Sequence, residues 1–242
     1  MEPYTLRVLF ALLLGGGYLW LTANRQQFPR NQLAELLFCS LVGALVGGRI
    51  GYIAEHSTYF MENLVAALQP WRASGLQSSG AWVGGLAAVF FWGKLAGRSV
   101  VSTLFFLTPA VLLVAAGVWW GCAGALCAWG RVALTPPAWL QWAVVDAPDL
   151  YHTVLPRYAV QSLGVVWSLV LALGASVWTR GRLFLLSLYM LGDALLAAFR
   201  ADPVLLLGPF RLDMVLSLVM AISFLWVQLW TIKLNRRHQT VL

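Results

Sequence analysis

The sequence predicts an all-α, polytopic membrane protein with seven transmembrane helices, its N-terminus outside and its C-terminus in the cytoplasm. Three observations lead there. Of 242 residues, 60% are hydrophobic and 10% charged, against roughly 45–50% and about 25% in soluble domains; the mean hydropathy is +0.77. Seven apolar runs approach the roughly 20 residues that a bilayer-crossing helix needs. Basic residues gather in alternate connections between those runs. So few charges cannot cover the surface of a soluble chain of this length. A soluble globular enzyme, a disordered chain and a disulfide scaffold are therefore excluded. The 13 Trp and 22 Gly fit the same class, since Trp favours membrane interfaces and Gly lets helices approach.

The first run, about Leu6–Leu21, lacks the basic start and small-x-small cleavage site of a signal peptide and is read as a helix. The others fall near Leu33–Ala54, Gly80–Ala96, Val100–Leu126, Ala159–Val177, Leu183–Phe199 and Val215–Ile232. With the C-terminus inside, the cytoplasmic segments carry Arg25, Arg30, Lys94, Arg98, Arg180, Arg182, Lys233, Arg236 and Arg237, with Glu35 the one nearby acid. The outer segments carry Arg72, Arg131, Arg157, Arg200 and Arg211 against Glu2, Glu55, Glu62, Asp146, Asp149, Asp202 and Asp213. That asymmetry sets the orientation. The long connections, Glu55–Ser79 and the proline-rich Arg131–Tyr158, both lie outside, so a loop-built site faces that side.

The net charge of +7 does not point to nucleic acid. The cations are scattered singly, with no basic stripe, and suit orientation in the bilayer and contact with anionic lipid heads. Cys39, Cys122 and Cys127 read as small buried residues. Cys122 and Cys127, five apart on a helix, point in different directions, and no metal site is expected.

Ionisable groups within spans are costly, so each is a functional candidate. Arg49 lies in Gly47-Gly48-Arg49-Ile50-Gly51-Tyr52, where glycines admit a helix or a lipid head to a guanidinium that can grip phosphate; the alternative is snorkelling to the interface. Asp193 shares a helix face with Tyr189 and is read as a base, a proton relay or the partner of Arg49 or Arg157. His56 continues the Arg49 face, and His152 sits in the outer loop. Gly75–Gly80 opens the third span, either as an anion cradle or as a helix capped by Ser78 or Ser79. Gln161 lies four after Arg157, on the same face if the helix has begun there. An Arg49–Asp193 pair would also suit a small transporter, but the two similar halves usual in that class are absent from the sequence.

The order of these pieces resembles the bacterial prolipoprotein diacylglyceryl transferases. The resemblance spans nearly the whole chain. It runs through Gly47–Tyr52, Trp71-Arg72-Ala73-Ser74-Gly75-Leu76, Trp129-Gly130-Arg131, Leu155-Pro156-Arg157 with Gln161, and Leu183–Leu186 leading to Tyr189 and Phe199-Arg200. It implies transfer of a diacylglyceryl group from phosphatidylglycerol to the lipobox cysteine of a preprolipoprotein at the outer face of the bacterial inner membrane, without a cofactor. The partners implied are an anionic phospholipid, a signal peptide and the bilayer. By the same resemblance Tyr189, Ser79 and Tyr52 are the catalytic positions. Arg49, Arg157, Gln161, Gly75, Gly80, Gly130 and Asp193 are the substrate-binding ones. Arg49, Tyr52, Arg157, Gln161 and Tyr189 are expected to line one outer-leaflet cavity.

The resemblance also marks departures. The family's histidine before the third span is Ser79 here. Its arginine and asparagine before Trp-Gly-Arg are Trp119 and Cys122, the arginine four after its tyrosine is Asp193, and its tyrosine-glutamate is Leu163-Gly164. A thiol base and two phosphate-side cations are thus replaced. The alternative expectation is a non-catalytic lipid-binding or assembly protein on the same scaffold.

Overall fold

A computed structural model describes residues 3–67, 69 and 75–239. Trp71–Ser74, Arg72 included, and the side chains of Arg236 and Arg237 lie outside the described residues. Each expected apolar run forms a helix: α1 (Pro3–Ala23), α2 (Arg30–Glu55), α5 (Ser78–Leu95), α6 (Val100–Ala125), α7 (Val160–Val177), α8 (Arg182–Ala198) and α9 (Leu212–Gln239). Two short helices, α3 (Ser57–Glu62) and α4 (Leu64–Ala67), occupy the connection after α2. Among the described residues six helices are long and apolar enough to cross a membrane, and the chain is a mostly helical, polytopic membrane protein. The helix outside that six is α5, whose 18 residues include Ser78, Ser79, Gly80, Gly84, Gly85 and Lys94.

The expectation of an all-α chain needs correction. The proline-rich connection after α6 folds back as an antiparallel hairpin, β1 (Val144–Pro148) with β2 (Val154–Tyr158). A second, minimal hairpin joins β3 (Leu206–Leu207) to β4 (Phe210–Arg211). Pro148 and Pro156 prevent a helix through this connection, and Val144, Val145 and Val154 suit a pleated surface. At the tip Asp149 Oδ1 accepts the N–H groups of Tyr151 (2.8 Å) and Thr153 (3.0 Å). His152 sits there at φ 60°.

The chain forms two compact units, residues 20–106 and residues 1–19 with 107–242. The first is organised by the α2–α5 pair. Gly43, Gly47 and Gly51 recur every fourth residue on α2, and Gly80, Gly84 and Ala88 answer them on α5. A Cβ on Gly47 would stand 2.7 Å from the Gly84 Cα, and one on Gly84 2.8 Å from the Gly47 Cα. Backbone therefore lies directly on backbone, as small residues permit between helices in lipid. Elsewhere in this unit Phe28 stacks on Trp92 (6.0 Å between centroids) and Phe106 (4.6 Å). The Arg98 guanidinium covers the Phe28 ring and donates to Gln32 Oε1 at 2.9 Å.

In the second unit α8 packs against α7 and α9, with Val160, Leu183 and Met190 fully buried. Polar groups inside it reach backbone acceptors: Ser187 Oγ donates to the Ala221 carbonyl (2.7 Å), Gln228 Nε2 to that of Arg180 (3.0 Å), and Arg182 Nε to that of Ala175 (2.8 Å). In an apolar surrounding an unpaired donor is expensive, so these bonds fix the helix register. A three-layered strip lies at one end of this unit. Arg131 N–H donates to the Phe199 carbonyl (2.8 Å) and Ala201 N–H to that of Trp129 (2.9 Å). On the other side Tyr158 N–H donates to the Arg131 carbonyl (3.1 Å) and Ala133 N–H to that of Pro156 (2.8 Å).

Candidate functional site

The candidates in residues 20–106 form one cluster. Arg49 lies near the end of α2, and its guanidinium is satisfied by backbone carbonyls. Nη2 donates to Ala66 O (2.7 Å), Nε to Ala67 O (3.1 Å) and Nη1 to Gly75 O (3.4 Å). It also lies over the Tyr52 ring (5.7 Å) and the Phe60 ring (5.2 Å). One fork thus serves the last residues of α4 and the return of the chain at Gly75, a task suited to a planar cation with five donors. The Tyr52 ring stacks with His56 (4.2 Å). It also fills the space beside Gly75, where any Cβ would run into the ring.

At the start of α5 the cap is Gln77, not Ser78 or Ser79 as the sequence suggested. Gln77 Oε1 accepts the Gly80 N–H at 2.6 Å, and its Nε2 donates to Ser79 Oγ. Gln77 N–H in turn donates to the Gly48 carbonyl at 2.9 Å. Ser79 is buried and its hydroxyl engaged. Gly80 faces Gly47 and Gly51 in the helix seam. Arg49, Tyr52, Gly75, Ser79 and Gly80 are therefore gathered at one end of the α2–α5 pair.

The other candidates belong to the second unit. Arg157 lies on β2, before α7 begins, so it does not share a helix face with Gln161. Its side chain is 5% exposed and pairs with Asp149 at 2.7 Å. Nη1 donates to the Gly130 carbonyl at 3.3 Å, and the buried Nε has no hydrogen-bond partner among the described residues. Gly130 leaves room for the Tyr158 backbone, whose carbonyl carbon would stand 2.9 Å from a Cβ there. Gln161 Nε2 donates to the Cys127 carbonyl at 2.6 Å.

Cys122 and Cys127 are joined by a disulfide. The sequence reading missed it by extending the helix through both residues. Helix α6 ends at Ala125, and Leu126 (φ 55°) and Ala128 (φ 54°) take left-handed backbone, which turns Cys127 back. Each such residue costs about 1–2 kcal/mol relative to right-handed backbone. The Cys127 N–H to Cys122 carbonyl bond (3.1 Å) supports the turn.

Tyr189 is buried on α8 beside the buried Trp119. The Trp119 ring also fills the space beside Gly164. Asp193, half-buried one turn further, accepts a hydrogen bond from Ser217 Oγ on α9 at 2.6 Å. The expected ion pair with Arg157 is not formed, because Asp149 holds that cation; the cation whose charge acts on Asp193 is Arg200. Asp193→Asn is therefore expected to keep the acceptor and change stability in detergent by less than about 1 kcal/mol. Ser217→Ala, which strips the donor from a carboxylate, costs about 1–3 kcal/mol. Thermal unfolding of the two variants checks the contrast, and equal losses would argue against it.

A network that the sequence reading did not single out closes this end of the unit. Arg200 binds Asp202 through Nε (2.8 Å) and Nη2 (2.5 Å) and Asp213 through Nη1 (3.1 Å). Arg211 binds Asp213 through Nε (3.2 Å) and Nη2 (3.1 Å) and the Asp202 carbonyl through Nη1 (2.8 Å). Burial alone would lower the Arg200 proton affinity. The Asp202 hydrogen bond and the charges of Asp202, Asp213 and Asp193 outweigh it and hold the guanidinium above its ordinary value. The repeated Arg-x-Asp spacing, Arg200-Ala201-Asp202 and Arg211-Leu212-Asp213, was the available signal. Beside the network opens a cleft of about 320 Å³, lined by Arg131, Arg200, Asp202, Pro203 and Arg211 among others. Arg131 is exposed there, with Nε donating to the Arg200 carbonyl at 3.2 Å. Of the cations around it, Arg131 has no carboxylate partner among the described residues and suits an anion entering the cleft.

Comparison with known proteins agrees with the resemblance. The family described as prolipoprotein diacylglyceryl transferase matches residues 1–230. A phosphatidylglycerol–prolipoprotein diacylglyceryl transferase of Aliivibrio fischeri is 29% identical over 96% of this chain and 86% of its own length. That of Aliivibrio salmonicida is 28% identical over 96% and 84%, and one of Pseudomonas putida 28% identical over 62% and 56%. Matched across almost all of its helices, the chain belongs to the prolipoprotein diacylglyceryl transferase family.

Proposed function

We propose that this protein transfers a diacylglyceryl group from phosphatidylglycerol to the lipobox cysteine of preprolipoproteins, with weak turnover. The observation that carries the reading is the family match over residues 1–230. In the reaction the peptide thiol loses its proton, the thiolate sulfur bonds to the glyceryl carbon, and the carbon–oxygen bond to phosphate breaks. Glycerol phosphate leaves. A free cysteine of pKa about 8.5 is a few per cent thiolate at neutral pH, so slow transfer needs no dedicated base.

The leaving phosphate needs cations aimed at it. Arg131, exposed at the open cleft, supplies one in this reading, while Arg200 is held by Asp202 and Asp213 beside it. Arg49 and Arg157, engaged with carbonyls and with Asp149, act by holding the loops that shape the binding surfaces. Transfer of labelled diacylglyceryl to a lipobox peptide from phosphatidylglycerol vesicles tests the reading, and no transfer at any enzyme concentration would refute it. Ser79→His alone is not expected to raise turnover, because the Ser79 position is buried and bound to Gln77.

A second reading is favoured by one observation. Where the family resemblance calls for an arginine stands Trp119, a buried apolar ring beside Tyr189 and Gly164. On that reading the scaffold binds anionic phospholipid without turning it over. Vesicle binding with no transfer would select it.

We further infer seven spans, α5 being the additional one, in a bacterial inner membrane with the N-terminus outside and the C-terminus cytoplasmic. The distribution of Lys and Arg supports this. Reporter fusions after Leu242 should be cytoplasmic and fusions within Thr135–Asp146 exported; the reverse pattern would overturn the orientation.

A further inference from the structure

The short loop closed by Cys122 and Cys127 has an unusual backbone and a specific output. Leu126 and Ala128 both carry a Cβ, yet both take left-handed backbone, on either side of Cys127. Such conformations persist only where the surroundings over-determine them. Here the surroundings include a covalent tie from the last turn of α6. From Cys127 onward the tied chain offers a run of backbone acceptors. The Cys127 carbonyl takes the Gln161 amide at 2.6 Å. The Trp129 carbonyl takes the Ala201 N–H at 2.9 Å. The Gly130 carbonyl takes Arg157 Nη1 at 3.3 Å. One covalent closure therefore sets the ground from which Gln161, Arg157 and the Arg200 segment are held.

We propose that the Cys122–Cys127 disulfide is a redox-formed clasp: closed, it positions Gln161 and the Trp129–Arg131 strip, and opened by reduction it releases them. In closing, the two thiols give up two protons and two electrons to the disulfide of a partner oxidoreductase, which leaves as a dithiol. A dithiol reductant reverses the step. Disulfides form and persist in oxidising compartments, so the clasp requires the C-terminal end of α6 to face the outside of the cell. Its structural part stands independently of the transferase reading, and only its effect on turnover rests on that reading.

The full chain, alkylated during purification in detergent and digested without reductant, should yield Cys122 and Cys127 as one cross-linked pair, while Cys39, which is free, is alkylated. Recovery of all three cysteines as alkylated thiols would overturn the proposal. Amide exchange of the intact protein is then compared with and without a phosphine reductant. Opening should speed exchange across residues 127–133 and at the start of α7 by about tenfold. The Cys122→Ser/Cys127→Ser chain should exchange fast in both conditions, and unchanged exchange in the reduced wild type would overturn the clasp. In the transfer assay, reduction should raise the KM for phosphatidylglycerol about fivefold, with a smaller change in kcat, in the wild type and not in the double variant. A released loop with unaltered KM would overturn the positioning role. Transfer absent in both redox states, with the exchange response intact, would refute the transferase reading and leave the clasp standing.

Discussion

Asp213→Ala is expected to lower stability in detergent by about 3–5 kcal/mol, the range for removing one partner from a buried ion pair. Asp213 is 5% exposed and receives Arg200 Nη1 at 3.1 Å together with both Nε and Nη2 of Arg211. Its Oδ1 also accepts the Met214 N–H at 2.9 Å, at the start of α9. The truncation leaves Arg200 and Arg211 facing Asp202 alone, with a surplus positive charge that the protein has buried. The control separates charge balance from contact. Arg211→Met with Asp213→Leu removes one cation and one anion together, and is expected to be much less harmful than Asp213→Ala. Thermal or denaturant unfolding of the purified variants measures both. A double variant as unstable as the single would show that lost packing rather than stranded charge dominates.

Gly84→Leu is expected to disrupt the α2–α5 pair outright, at about 3 kcal/mol or more. The atoms in the way are backbone, the Gly43 carbonyl and the Gly47 Cα and N, and cannot swing aside as a side chain end would. Gly85, the neighbour on the same helix, provides the contrast: its Cβ would come no nearer than 3.7 Å to the Ala44 Cβ. Gly85→Ala should thus be neutral or slightly stabilising, since Ala is the better helix former. Accelerated proteolysis in the 56–76 connection should accompany Gly84→Leu, because Arg49 and Gln77 anchor that connection across the same seam. Equal stability of Gly84→Leu and Gly85→Ala would refute the close-approach argument.

The helices were legible because an apolar run in a chain this poor in charge has few other fates, and the observed bounds differ from the expected ones by a few residues. The α2–α5 seam could have been read from Gly43, Gly47 and Gly51 at fourth-residue spacing, but glycine is frequent in this chain and its partners on α5 are 29–45 residues away. The β1–β2 hairpin was hidden because Pro148 and Pro156 signal only that a helix is broken there. The pairing that makes strands joins Val144–Pro148 to Val154–Tyr158 across a turn, and Asp149 meets Arg157 there. The site was legible as a set of residue types and not as a set of bonds. Arg49 was recognised as exceptional, but a guanidinium that binds phosphate and one that binds three carbonyls look alike in a sequence. Asp193 was assigned a cation because the positional argument knew nothing of Ser217 on α9. The cysteines were dismissed by helical phase, a valid argument on a helix that stops two residues too soon for it.

The four charges that join α8 to α9 have a bearing on how this chain enters a bilayer. Arg200, Asp202, Arg211 and Asp213 sum to zero and are paired across a stretch closed by the β3–β4 hairpin, with Gly208 at φ 62° in its turn. Arginines resist translocation as free cations. Locked to carboxylates two residues away, they travel as a compact set of dipoles, with a far smaller dehydration cost than the same charges carried separately. In the orientation proposed above, the α8–α9 connection would cross as a helical hairpin with its charges already paired. Losing either aspartate would leave an unpaired cation to be dehydrated at that point, so the same substitutions that weaken the folded protein would also make membrane insertion more costly.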